Sequence, residues 1–241
     1  MKSDPKLIVA LDYEGVDRCL TLVNQLDPNV CRLKVGKQLF TIAGPRFVEQ
    51  LIAKGFDVFL DLKFHDIPST VEKAVKAACD LGVWMVNVHA SGGGRMMSSA
   101  AEAVSLSTHK PWLIGVTVLT SMDESEYARI GYQRTLGDQV LHLAQLTQQS
   151  GLDGVVCSAA EATLLRQHLG ASFCLVTPGI RPHSKAGSLN DDQSRVVTPA
   201  QAIELGSHYI VVGRPITQSK NPSVACQEIS QSIQGLSHVT S

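Results

Sequence analysis

Short apolar, β-branched runs alternate along this chain with longer stretches of helical period. Runs of strand character fall at about 7–12, 30–35, 56–62, 84–89, 112–118, 154–157, 173–177 and 209–212. Helical patterns occupy about 15–25, 37–54, 69–81, 93–105, 136–150, 159–168 and 199–205, with a closing pair after 214. The punctuation agrees with the periods. Ser69-Thr70 can cap a helix, Pro199 sits where a first helical turn tolerates it, and Gly55, Gly82 and Gly151 mark helix ends.

A repeated strand–helix unit at a spacing of about 30 residues predicts an α/β fold, a single (β/α)8 TIM barrel, whose typical size is about 250 residues. The alternative, an open doubly wound sheet, usually carries a glycine-rich fingerprint after its first strand, where this chain has Asp12-Tyr13-Glu14. No low-complexity linker or shift of composition interrupts residues 1–241, so one domain is expected. The longest irregular stretch, Pro178 to Thr198, is rich in Gly, Ser, Asp and Pro, and such a stretch in a compact barrel is usually a functional loop.

Composition narrows the partners. Of 241 residues, 44% are hydrophobic and 18% charged, enough to bury a full core, and the formal net charge is −1. Near-balanced charge and the lack of a basic tail argue against nucleic acid. Met1 to Pro5 lacks the apolar core of a signal peptide, and no apolar run approaches the roughly 20 residues a membrane helix needs. A soluble, cytoplasmic protein with no membrane partner is the expectation. Cys19, Cys31, Cys79, Cys157, Cys174 and Cys226 are scattered singly, without C-x-x-C or zinc spacing, and read as buried, reduced thiols.

The barrel gives the polar residues a common address. Asp12, Lys34, Asp61 and Lys63 close the first three strands, Thr120 follows the fifth, Pro178 the seventh and Gly213-Arg214 the eighth, all on the C-terminal rim where barrel active sites are built. Phe59, Asp61 and Lys63 share one face of the third strand, with Asp61 and Lys63 roughly 7 Å apart along the backbone. Burying an acid and a base there costs desolvation energy that Val or Ile would avoid, and Asp66 adds a carboxylate just past the strand. Gly213-Arg214 reads as a phosphate site, since Gly lets backbone approach the ligand and Arg supplies a forked cation; Arg181 and Gln193 in the long loop can fold over the same anion. Ser91-Gly-Gly-Gly-Arg95 lacks the P-loop Lys-Ser/Thr and is expected to be a tight turn into a helix. His89 reads as a packed strand-end group, and His65, within the same run as Asp61 and Lys63, as structural. No His/Glu pair has metal-ligand spacing, so no metal is required.

The run Asp61-Leu-Lys-Phe-His-Asp-Ile-Pro-Ser-Thr70, preceded by Leu11-Asp12 and Lys34-Val-Gly36, resembles orotidine 5′-phosphate decarboxylase. The similarity continues through Val88-His-Ala-Ser-Gly92, Thr117-Val-Leu-Thr-Ser121, Thr177-Pro-Gly-Ile-Arg-Pro182, Asp191-Asp-Gln193 and Val212-Gly-Arg-Pro-Ile216, over about residues 7 to 220. The resemblance implies cofactor-free, metal-free decarboxylation of orotidine 5′-phosphate to uridine 5′-phosphate by a homodimer of barrels with sites at the subunit interface. It further implies a charge network of Lys34, Asp61, Lys63 and Asp66, with Asp66 reaching the neighbouring subunit's site and Lys63 protonating C6 of the pyrimidine. Asp12 and Lys34 would hold ribose hydroxyls, joined across the interface by Asp66 and Thr70. Thr120 would contact the base, Pro178 would wall the pocket, and Arg181, Gln193, Gly213 and Arg214 would bind phosphate. Two rivals stand beside this reading. One is a Mg²⁺-dependent sugar-phosphate decarboxylase or aldolase that shares the Asp-x-Lys-x-x-Asp run. The other is a catalytically silent nucleotide-binding barrel.

Overall fold

A computed structural model of the chain describes residues 4–182 and 197–236. The strands are β1 (Leu7–Ala10), β2 (Arg32–Gly36), β3 (Val58–Phe64), β4 (Met85–His89), β5 (Trp112–Val116), β6 (Gly154–Val156), β7 (Cys174–Thr177) and β8 (Tyr209–Val212). Each pairs in parallel with the next, and β8 returns to β1, so the sheet closes into a barrel. The helices are α1 (Val16–Val23), α2 (Lys37–Ala53), α3 (Pro68–Asp80), α4 (Gly94–Leu106), α5 (Glu124–Arg129), α6 (Leu136–Gln149), α7 (Ala159–Leu169), α8 (Pro199–Glu204), α9 (Arg214–Thr217) and α10 (Pro222–Ser232).

The period of two sorts every strand into an inner and an outer face. Ile8, Ala10, Phe59, Met85, Ile114, Cys174, Val176, Tyr209 and Val211 pack together inside the barrel. Their neighbours Leu7, Val9, Leu33, Leu60, Val86 and Val88 join the larger core shared with residues of the surrounding helices, such as Val48, Val75 and Met97. The interior is therefore a filled core, and a ligand must bind at one end of it. Close packing also sets local choices: a Cβ on Gly154 would lie 2.1 Å from the carbonyl oxygen of Cys174, so β6 meets β7 only with glycine there.

The N-terminal end of the barrel is closed by Arg32. Its buried guanidinium lies 4.1 Å from the Trp84 ring centre and 5.1 Å from that of Tyr209, and it donates to Asp4, Asp57 and the Pro5 carbonyl. Removing it would lose its contacts with both rings and leave the half-buried Asp57 carboxylate without this cation. Arg32→Ala is expected to lower unfolding free energy by about 3 kcal/mol, discounted for the exposed Asp4 partner. A shift of the urea midpoint at constant m value checks this; an unchanged midpoint would reduce Arg32 to a surface-like charge.

Most element positions match the periodicity, and the departures have local causes. Strand β1 stops at Ala10, and Leu11 N makes one further bond to the Lys34 carbonyl before the chain turns away, so Asp12 lies beyond the strand rather than closing it. Helix α2 is two helices meeting at Gly44 (φ 67°), because Pro45 offers no N–H to a continuous ladder. Helix α3 begins with Pro68 at its first turn after the N-cap Ile67, so Ser69 and Thr70 lie inside the helix and do not cap it. The helix α5 escapes the periodic reading because it has six residues; its start is fixed by Asp123, whose side chain accepts from Glu126 N.

Candidate active site

The C-terminal end of β3 departs from a regular strand. Its ladder with β4 runs Phe59 to Met85 and Leu60 to Val86, then resumes only at Phe64 to Val88. On the β4 side residues 61–63 thus face Asn87 alone, and within this bulge Lys63 has φ 51°, the one positive φ at a non-glycine among the described residues. A left-handed lysine in a strand is strained and needs outside support. The fully buried Asn87 supplies it: its Oδ1 accepts from Lys63 N at 2.7 Å, and its Nδ2 donates to Asp61 Oδ1 at 2.7 Å. Phe59, Asp61 and Lys63 do share one cleft, but by this bulge and not by simple alternation.

The ionised groups form a chain. Lys63 Nζ lies 2.5 Å from Asp61 Oδ1, Lys34 Nζ lies 3.0 Å from Asp61 Oδ2, and Lys34 Nζ lies 3.8 Å from Asp12 Oδ1. Side-chain exposure falls from 70% at Asp12 to 12% at Lys34 and 11% at Asp61 and rises to 26% at Lys63, so Lys34 and Asp61 are the buried middle of the chain. Burial alone would raise the Asp61 carboxyl. Lys34 and Lys63, with hydrogen bonds from Lys63 and Asn87, more than reverse this and hold its pKa at about 2.

These residues line a cleft of about 340 Å³ on the rim, within the size range of small-molecule sites. Asp12, Lys34, Asp61 and Lys63 contribute to it, and so do Thr120, Pro178, Arg181, Gly213 and Arg214, from loops after β5, β7 and β8. Apolar walls come from Phe59, Val116, Val156, Val176, Ile180 and Val211. A ligand here would meet paired charges, a dry wall and two guanidinium groups, a set suited to a planar ring bearing an anionic tail.

The family model described as orotidine 5′-phosphate decarboxylase / HUMPS family matches residues 5–229. The chain belongs to this family. It is 59% identical over 232 residues to the orotidine 5′-phosphate decarboxylase of Vibrio cholerae serotype O1 (strain M66-2), covering 96% of this chain and 99% of that one. It is 58% identical over 230 residues to the orotidine 5′-phosphate decarboxylase of Pseudoalteromonas translucida (strain TAC 125), covering 95% of this chain and 97% of the relative. The crystal structure of orotidine 5′-phosphate decarboxylase from Lactobacillus acidophilus superposes with a TM-score of 0.86 at 36% identity, over 96% of this chain and all of that one.

Not every residue expected in a site of this family lies in the cleft. Asp66 and Thr70 are exposed beside it and do not line it; Asp66 Oδ1 accepts from Ile67 N at 2.6 Å. Gln193 lies outside the described residues. His65 and His89 also fall outside the lining, with ring centres 5.5 Å apart; burial first, then the positive charge of His65, Lys37 and Lys63, lowers the His89 pKa to about 4. The run Ser91 to Arg95 forms a 3-10 turn at Ala90–Gly92 followed by Gly93 (φ 87°) and the start of α4, a turn into a helix as expected. All six cysteines are buried and free, and burial raises Cys19 and Cys174 to about 12, so these two thiols stay protonated. Among the described residues no group of three or more His, Cys, Asp or Glu could hold a metal ion, and no helix is long and apolar enough to cross a membrane. The residue missed from sequence is Asn87. Its signal was an amide at an inward-facing position of the otherwise apolar Met85-Val-Asn-Val88 run.

Proposed function

We propose that this protein is a cytoplasmic enzyme of pyrimidine synthesis that decarboxylates orotidine 5′-phosphate to uridine 5′-phosphate and CO2, with Lys63 as the proton donor to C6. One observation carries the reading: Lys34, Asp61 and Lys63 alternate in charge in a single ion-paired set within a cleft that also receives Arg181 and Arg214. In the reaction the bond from C6 to the carboxyl carbon breaks, its electron pair stays on C6, and CO2 leaves. The resulting carbanion lies in the ring plane, where no side chain can delocalise it. A fixed ammonium stabilises that charge as it develops and then gives C6 a proton, which solvent later restores to the amine. Asp61 holds this ammonium in place and would lie near the departing carboxylate. Asp12 and Lys34 would take the ribose hydroxyls, Thr120 the base and Pro178 the pocket wall. Arg181, Gln193, Gly213 and Arg214 would take the phosphate, whose binding energy is remote from C6 and can be used to position the reacting ring.

The sugar-phosphate rival shares the family model. The relatives at 57–59% identity carry the decarboxylase name, and this favours the pyrimidine substrate. The test is loss of the ultraviolet absorbance of orotidine 5′-phosphate on mixing with purified protein in EDTA. Rapid loss is expected, and no loss from a folded protein would overturn the assignment in favour of the metal-dependent chemistry.

The exposed position of Asp66 and Thr70, beside Ile67 at 63% exposure, suits a homodimer in which they complete the partner's site. Mixing inactive Lys63→Ala with inactive Asp66→Ala subunits would then restore about one quarter of wild-type activity, since random assortment leaves one intact site in half the dimers. Failure of the remixed subunits to recover activity would confine the site to one chain.

A further inference from the structure

We propose that Asn87 is a positioning residue for decarboxylation: one buried side-chain amide clamps both the main chain at Lys63 and the carboxylate of Asp61, and so aims the ammonium into the cleft. The inference rests on the proposed decarboxylase reading and adds a residue that does not itself line the cleft.

Three features of the fold support it. First, the β3 bulge breaks the ladder to β4 between Leu60 and Phe64, and Asn87 Oδ1 takes the part-buried Lys63 N–H on that side. Second, the left-handed conformation of Lys63 redirects its side chain, and that conformation is held by this bond from the neighbouring strand. Third, Asp61 Oδ1 accepts from both Asn87 Nδ2 and Lys63 Nζ, so the carboxylate that anchors the ammonium is itself anchored by the same amide. An amide fits this place at any pH, because one end must accept from a backbone N–H while the other donates to a carboxylate. Leucine would do neither, and a carboxylate would lack the donor. The low pKa of Asp61, to which the Asn87 bond contributes, accords with the same arrangement.

The test compares wild type, Asn87→Ala and Asn87→Asp, each checked for a cooperative thermal transition, with orotidine 5′-phosphate as substrate. Asn87→Ala is expected to lower kcat about 100-fold, the cost of a misplaced catalytic group, with KM within about threefold because the phosphate grip is untouched. In Asn87→Asp the introduced carboxyl can make both bonds only while protonated. Its kcat should therefore recover as pH falls and decline as pH rises through that ionisation, a limb absent from wild type. Asp61 and Lys63 on β3, Lys34 on β2 and His89 on β4 are common to both proteins, so the difference between the two profiles isolates the new group. A merely structural role would lower stability without creating that limb. Wild-type silence would sink the decarboxylase reading instead. An active wild type with kcat kept within about threefold in Asn87→Ala, or a pH profile of Asn87→Asp parallel to wild type, would overturn the role of Asn87 alone. If Asn87→Ala does not fold, the Asn87→Asp profile decides.

Discussion

Replacing Lys63 by alanine is expected to lower kcat by at least about 10⁴-fold, because in the proposed reaction the one side chain supplies both charge stabilisation and the proton. The expectation follows from how the group is mounted. Lys63 Nζ is held at 2.5 Å by Asp61, whose own carboxylate is fixed by Asn87 and Lys34, so the ammonium needs little reorganisation as charge develops beside it. The change should spare the fold. Asp61 retains Lys34 at 3.0 Å and Asn87 at 2.7 Å, so no buried carboxylate is orphaned. Nor does Lys63→Arg offer a remedy: a guanidinium keeps the charge but is too weak an acid to release a proton at neutral pH. Absorbance assays of both variants, with uridine 5′-phosphate affinity measured alongside, check this. Affinity should hold within about threefold, since Arg181 and Arg214 are untouched. More than about 1% residual kcat in Lys63→Ala would move the proton donor to another group.

The barrel was legible because its signal is local and repeated. Strand β8 lies at 209–212 as its apolar run indicates, and the glycines at 55, 82 and 151 end helices with positive φ. The site was legible to the extent that charge is unusual at strand ends: Asp12, Lys34, Asp61, Lys63 and Arg214 meet in one cleft although the boundaries of β1 and β3 differ from those the pattern predicts. What escaped depends on partners distant in sequence. Asn87 bonds to groups 24 and 26 residues away, and no periodic window contains both strands. The same holds for the left-handed turn at Lys63, since a lysine in an apolar run gives no sign of a bulge that only the facing strand creates. Arg32 likewise reads as an ordinary strand-start cation until Trp84 and Tyr209 close over it. Pairings across the barrel are thus the part that the fold alone reveals.

Asp61→Asn is expected to lower kcat roughly 10³-fold and to flatten the acid side of the stability curve. Burial opposes the Asp61 charge, yet Lys34 and Lys63, together with hydrogen bonds from Lys63 and Asn87, pull its pKa from the ordinary 3.8 down to about 2. A folded value below the unfolded one means that the folded state favours the carboxylate. Its contribution is therefore fully present above about pH 4 and disappears as pH falls through about 2. The gap between the two values corresponds to about 2 kcal/mol. Asparagine keeps the shape and one acceptor but no charge. Lys34 is then left with Asp12 at 3.8 Å, itself largely exposed, and Lys63 loses the anion beside it. Urea unfolding of wild type and variant at stepped pH values from 7 downward measures the difference. It should be largest at neutral pH and shrink below pH 4; a constant difference would mean that this carboxylate is not what the two lysines hold. The kinetic loss has the same origin. An ammonium freed from its anchor remains charged but no longer points at one carbon, and catalysis by a fixed charge depends on that direction as much as on the charge itself.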